Sequence, residues 1–179
     1  SASYKITNLN VDTNLKEDGS AIISEAITYD IDEINGVFFY IDAMGYGGID
    51  SLQVFEDNGI NKNGEVLYTD VDPSNYEVTE DNGVYRVKLY SRNVNNVRVF
   101  KFVYTLPNAI NIYNDVAQFN RKMVGQDWEK DIANVNVLFR IPVSEDYDNS
   151  KILVFGHGPL TGEVSKDKNI VKYSMTMLI

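Results

Sequence analysis

Four carboxylates, Asp115, Asp127, Glu129 and Asp131, crowd residues 113–132, a stretch that also holds Arg121, Lys122 and the sole tryptophan, Trp128. Two carboxylates held at a fixed separation across a cleft can divide acid–base work on a glycosidic or similar bond. Spacing supplies another reason for each of these residues. Val116, Phe119 and Met123 fall three and four apart, on one face of a helix. Asp115 stands at its N-cap, with Gln118 three residues on in a capping-box pattern. Arg121 and Lys122 lie toward the other end, where the helix dipole favours cations, and Gly125 follows as a stop. The spacing predicts a helix over 115–124. Asp127 then caps a brief second turn through Trp128 to Ile132, with Glu129 and Asp131 solvated. Trp128 is expected to plug the end of the fold beneath the helix. No catalytic residue is assigned.

The remaining chemistry-bearing residues are sparse. His157 is the single histidine, and a Ser–His–acid triad or a histidine metal site would have to use it. It sits in Gly156-His-Gly-Pro159, where a turn residue bonded to backbone is expected. Residues 59–70 graze the EF-hand pattern through Asn61, Asn63, Gly64 and Asp70, but Gly59 occupies the first ligand position and no helices flank it. A strand connection is expected there. Gly45-Tyr-Gly-Gly48 fits neither phosphate-cradling glycine motif. No metal or cofactor is therefore expected. The 12 tyrosines offer ring faces for sugars, although tyrosine is also a favoured strand residue. Tyr29, Tyr104 and Tyr173 read as core with a polar tip. Tyr46, between two glycines, and Tyr40, four residues after Gly36, read as surface. The ligand-binding candidates are thus Tyr40, Tyr46, Arg121 and Trp128.

The elements that must position these residues are strands. Ile23, Glu25, Ile27, Tyr29 and Ile31 alternate onto one face, and Glu25 on that face requires an edge or a partner. Tyr85, Val87 and Leu89 oppose Arg86 and Lys88. Phe100, Phe102, Tyr104 and Leu106 oppose Val97, Val99, Lys101 and Val103, the mark of a central strand. Val135, Val137, Phe139 and Ile141 run up to Pro142, which ends their strand. Residues 152–155 and 170–179 complete the set. Asp18-Gly19, Asn35-Gly36, Asn58-Gly59, Asn63-Gly64 and Asn82-Gly83 supply the positive φ that tight turns need. The expectation is a mainly β chain: an antiparallel β-sandwich, immunoglobulin-like, with a short helical insertion near 115–132, forming one domain over 1–179.

Composition bounds the rest. A chain of 179 residues buries roughly 70% of the surface its unfolded form exposes, so no metal or disulfide is needed for stability. The 16 basic against 26 acidic residues give a formal charge of −10, a field that repels nucleic acid and anionic headgroups. The absence of cysteine excludes disulfides, thiolate nucleophiles and cysteine zinc sites. No apolar run reaches the ~18 residues that span a bilayer. The alternation of 172–179, without a polar tail, raises the expectation of a longer protein.

One resemblance runs through the chain. Asp115-Val-Ala-Gln-Phe-Asn-Arg-Lys-Met-Val-Gly-Gln-Asp-Trp-Glu-Lys-Asp-Ile132, followed by Val135, Val137 and Pro142, resembles the predicted bacterial membrane proteins grouped as domain of unknown function 2207. So do Asp18-Gly-Ser with Ser24-Glu25, Gly36-Val-Phe-Phe-Tyr-Ile41 leading to Gly48-Ile-Asp50 and Val54, and Gly156-His-Gly-Pro-Leu-Thr-Gly-Glu-Val164. The chain departs from that family at Gln118-Phe-Asn-Arg121, where Glu-Leu-Tyr-Trp is common, and at Phe39, where a basic residue is expected. The resemblance implies a signal peptide ahead of this piece, an extracytoplasmic β domain, and transmembrane helices after it as the membrane attachment. It implies no activity. The expected function is non-enzymatic binding of a protein or cell-envelope component, with a carbohydrate-binding module using exposed aromatics as the alternative.

Overall fold

The computed structural model describes residues 3–113, 116–119, 132–143 and 163–176. The strands are β1 Ser3–Leu15, β2 Ala21–Asp42, β3 Leu52–Ile60, β4 Val66–Asp70, β5 Tyr76–Asp81, β6 Val84–Leu106, β7 Ile110–Tyr113, β8 Val116–Phe119, β9 Ile132–Arg140, β10 Glu163–Asp167 and β11 Ile170–Thr176. Nine of them form one sheet in the order β10-β11-β9-β1-β2-β6-β3-β4, with β5 also paired to β6, and β7-β8 is a separate hairpin. The class is mainly β, as the alternation predicts. The pairing is mixed rather than wholly antiparallel, because β1 and β9 run parallel. No hairpin turn joins those two, so nothing local sets their relative direction.

The alternating faces behave as expected. Ile23, Ile27, Tyr29 and Ile31 are buried, and so are Phe100, Phe102, Tyr104 and Leu106. Glu25 is 7% exposed and finds its partner in the Tyr104 hydroxyl, which donates to Oε2 at 2.8 Å. Burial pushes the Tyr29 phenol far above its ordinary range, with Tyr4 and Glu25 adding to the effect. The opposite face of β6 is less enclosed than its apolar residues imply, since Val97 is exposed.

The long strands β2 and β6 make a ribbon that folds back on itself. Phe102 pairs with Glu25 and Phe39 with Val87. The fourteen steps from Glu25 to Phe39 would cover about 46 Å if straight. Yet the Phe39 and Phe102 rings stack with centroids 4.0 Å apart and planes 7° from parallel. The far end is tied back as well. The Asn108 N–H donates to the Tyr46 carbonyl at 2.9 Å, and the Asp50 N–H to the Thr105 carbonyl at 3.1 Å. Those bonds bring the residues after β2 to the last residues of β6.

The bend has local causes. Ile34 pairs with Asn93 and Gly36 with Tyr90, so Asn35 alone faces Ser91 and Arg92 in a bulge. Asn95 adopts φ 50°, which asparagine tolerates better than most residues. Buried Asn93 donates to Ser91 Oγ at 2.8 Å and accepts from Asn96 and from Arg98 Nη1, each at 3.0 Å. Gly36 is required by close approach, because a Cβ there would lie 2.6 Å from the Leu89 carbonyl oxygen. The expected turn at Asn35-Gly36 is thus a bulge within β2. Asn82-Gly83 does form the β5–β6 turn, with φ of 49° and 82°.

The predicted helix over 115–124 is overturned where it is described. Residues 116–119 are strand β8, with Val116 opposite Tyr113 and Phe119 opposite Ile110. The start of that hairpin is fixed by the Ala109 and Ile110 N–H groups, which donate to the Gly19 carbonyl at 2.9 and 3.1 Å. Phe119 packs edge-on against Phe139, centroids 5.8 Å apart. Packing outweighs a helical spacing carried by three side chains. Asp115, Arg121, Lys122, Met123, Gly125, Asp127, Trp128, Glu129, Asp131 and His157 lie outside the described residues, as do residues 152–155.

Two outcomes follow. Gly36→Ala should lower stability by about 1–3 kcal/mol, because backbone must move to admit the methyl; chemical denaturation measures it, and an unchanged midpoint would contradict the bulge geometry. In the β1–β2 turn, the Ser20 hydroxyl and N–H donate to Asp18 Oδ1 at 2.6 and 2.9 Å and hold that carboxyl below its ordinary range. A depressed folded pKa contributes stability above the unfolded value and loses it as pH falls through the folded one. NMR titration should therefore find Asp18 titrating below 3.8, with Ser20→Ala moving it back up.

Candidate binding surface

Beyond the bend, β5, the start of β6 and the end of β2 form a short arm of the sheet. Val37, Phe39, Ile41, Val87 and Leu89 are buried on its inner face. Alternation therefore turns Phe38, Tyr40, Arg86, Lys88 and Tyr90 outward. The register sets Phe38 beside Lys88, Tyr40 beside Arg86, and Tyr90 beside Gly36. Phe38, Tyr40 and Tyr90 are 48%, 52% and 45% exposed. On β5, Glu77 lies across from Lys88 and Thr79 across from Arg86.

The two cations lean on the rings. Arg86 Cζ lies 5.5 Å from the Phe38 centroid, and Lys88 Nζ lies 6.0 Å from that centroid and 5.0 Å from Tyr90. Such contacts orient a long side chain without neutralising it. Among the described residues neither cation makes an ion pair. Arg98 differs: its Nε meets Asp57 Oδ1 at 2.7 Å and its Nη2 meets Glu56 Oε2 at 3.4 Å. The short arm thus presents aromatic rings and unneutralised positive charge on a chain of net charge −10.

The long arm carries two lesser features on its outer face. Lys101 Nζ sits 4.7 Å from the Phe55 centroid and 4.1 Å from that of Tyr68. Partial burial raises the Tyr68 phenol above its ordinary pKa, and Asp57 adds to it. An open trough of about 580 Å³ is lined by Asn10, Asp12, Ser24, Asn136, Glu163 and Lys172, among others. Residues 59–70 take in the end of β3, the connection 61–65 and β4, and in the connection Asn61 Oδ1 accepts from the N–H groups of Asn63 and Glu65. Among the described residues, no cluster of three His, Asp or Glu side chains is placed to hold a metal.

Of the predicted candidates, Tyr40 lies on the exposed aromatic face. Tyr46 packs partly buried against the core, with its carbonyl engaged by Asn108, and does not join Tyr40. Arg121 and Trp128 lie outside the described residues. Phe39, where a basic residue is expected from the resemblance, is wholly buried; its change concerns the core, not a ligand surface. Phe38, Arg86, Lys88 and Tyr90 were not singled out from sequence as a surface. The signal was present in the outward setting of Arg86 and Lys88 and in the alternation of Val37-Phe-Phe-Tyr-Ile41, but the pairing of those two segments was not.

A family profile described as the predicted membrane protein (DUF2207) N-terminal domain matches residues 5–178. No curated protein sequence matches the chain. Among solved structures, a candidate protease from Parabacteroides distasonis superposes with TM-score 0.55 at 10% identity, over 97% of this chain and 35% of that one. Yeast LTA4 hydrolase in complex with bestatin does so with TM-score 0.51 at 10% identity, over 96% of this chain and 26% of that one. At that identity the likeness is one of fold. The chain spans about a third and a quarter of those two proteins. No helix among the described residues is long and apolar enough to cross a membrane.

The two sides of the short arm should respond differently to substitution. Phe39→Ala removes a ring stacked in the core and should cost about 3–5 kcal/mol, whereas Phe38→Ala and Tyr40→Ala should stay within about 0.5 kcal/mol. Thermal or urea melts of the three variants check this; equal losses would mean the face is not free.

Proposed function

The chain belongs to the family of N-terminal domains of predicted membrane proteins (DUF2207), and on that premise we propose that it is a non-enzymatic extracytoplasmic binding domain of a bacterial membrane protein. It engages a protein or cell-envelope component, and its full-length protein is held in the cell membrane by segments beyond residues 1–179. The observation that carries the reading is the outer face of the short arm. Aromatic residues and arginine are the types that dominate binding energy at interfaces, and here they are exposed together. The folded-back ribbon supports a two-layer sandwich as the architecture of the whole domain, and the parallel β1–β9 pair sets it apart from a purely antiparallel immunoglobulin-like arrangement.

The fold likeness gives supporting context: in two solved proteins the same fold forms a minor part of a longer chain, as a binding module would. A carbohydrate-binding module is the second reading, favoured by Tyr40 standing on the same face as Phe38 and Tyr90.

Residues 1–179 contain no cysteine, so labelling at an added one is read against the full-length protein without it. Asn63→Cys in the exposed β3–β4 loop of the full-length protein should react with a membrane-impermeant maleimide in intact cells. Reaction only after lysis would overturn the extracytoplasmic assignment. A photoreactive residue at position 40 should give a crosslinked product in the same cells that is lost at position 63 and competed away by excess soluble domain. No product specific to position 40 would overturn the binding face.

A further inference from the structure

We propose that the outer face of the short arm takes an acidic polysaccharide, a linear glycan whose sugar rings lie on Phe38, Tyr40 and Tyr90 and whose carboxylates meet Arg86 and Lys88. This rests on the reading of that face as a binding surface and names its ligand.

The geometry supplies each requirement. The face is the side of a sheet, not a groove, so its occupant must be extended and touch it with a flat surface. Phe38 and Tyr40 are two apart on one strand, a spacing of about 7 Å, and both are about half exposed. Tyr90, 45% exposed, stands across from Gly36, which has no side chain of its own. The C–H faces of pyranose rings suit such a row, because they lose little hydration when they cover an aromatic surface.

Charge argues for an acidic glycan over a neutral one. Arg86 and Lys88 already stand against the rings at 5.0 to 6.0 Å. They keep their charge unpaired among the described residues, although Glu77 lies one strand away from Lys88. A carboxylate on each sugar would meet these donors beside the ring its sugar covers. The net charge of −10 repels polyanions elsewhere and confines them to this face.

Backbone hydrogen bonding argues for a glycan over an acidic peptide. Here β2 is paired to β6, and β6 to both β2 and β5, while β1 pairs with β2 only as far as Glu33, so the ladder groups point along the sheet and the open edge of β2 lies beside the face and not on it. An extended peptide lying on the face would find no backbone partners for its own amide groups, whereas peptides that dock on sheets do so at edges. Sugar hydroxyls can stay in water on the outer side.

Affinity electrophoresis and calorimetry with the 179-residue chain test this, using polygalacturonate, a neutral unbranched galactan, polyglutamate and polyphosphate. Polygalacturonate should bind, at least tenfold more tightly than each of the other three, and more weakly as salt screens the contact. The paired substitution Arg86→Gln and Lys88→Gln should weaken it at least tenfold and flatten the salt dependence. Tyr40→Ala, which leaves charge unchanged, should weaken it at least threefold with an unaltered melting temperature. Equal binding of polyglutamate or polyphosphate would reduce the face to a charge patch and overturn the proposal. So would polygalacturonate binding that ignores both sets of substitutions, or no binding at all. If polygalacturonate fails while the position-40 crosslink in cells persists, the glycan is wrong and the binding face stands; loss of both removes the face.

Discussion

The stack of Phe39 on Phe102 is the contact on which the rest of the molecule is arranged. Two strands of more than twenty residues each, left straight, would form an open ribbon with one greasy side in water. Burial of that side requires a second layer. This chain makes the layer from the ribbon's own continuation. The bulge at Asn35, the left-handed Asn95 and the hydrogen-bonded Asn93 turn the two strands together, and the inner faces of the arms then share one core.

The bend also decides where polar groups can go. Glu25 sits on the long arm's inner face, where a carboxylate is costly unless satisfied. The Tyr104 hydroxyl from the neighbouring strand supplies a donor. Arg98 ties the bend to β3 through Asp57 and is neutralised there. Arg86 and Lys88 stand on the far side of the bend and on the outward face, where rings and not carboxylates receive them. Both sets of cations come from β6; strand position and facing separate a structural role from an available one.

Much of the β architecture could be read from alternation. The faces set by Ile23 to Ile31 and by Phe100 to Leu106 follow directly from period two, as do the buried Val135 and Val137. Alternation loses phase at the bend, where the buried set of β6 passes from odd positions at Val87 and Leu89 to even ones at Phe100 and Phe102. The segments around Tyr85 and Phe100 therefore read as two strands when they are one, and Asn35-Gly36 read as a turn. The helix expected at 115–124 fails over 116–119 for another reason. Three apolar residues at spacings of three and four are too few to outweigh the packing of Phe119 on Phe139. Tyr40 was recognisable as surface from its own neighbourhood. Its companions were not, since Arg86 and Lys88 are more than forty positions away in sequence and meet it only through register.

The parallel pairing of β1 with β9 bears on the order in which the chain can mature. β1 is an interior strand, held by β2 on one edge and by β9 on the other. Asn136 donates to Asn10 across 126 positions of sequence. As the chain emerges from its N-terminus, β1 and β2 can close at once through their five-residue connection, and the free edge of β1 then waits for residues 132–140. Until these arrive, that edge exposes a run of unpaired backbone groups beside Leu9 and Val11, the kind of template on which strands from other chains add. Pairing at such separation is slow to form. The separation of β1 from β9 thus gives β1 a particular exposure: its last neighbour arrives only after most of the domain has been made.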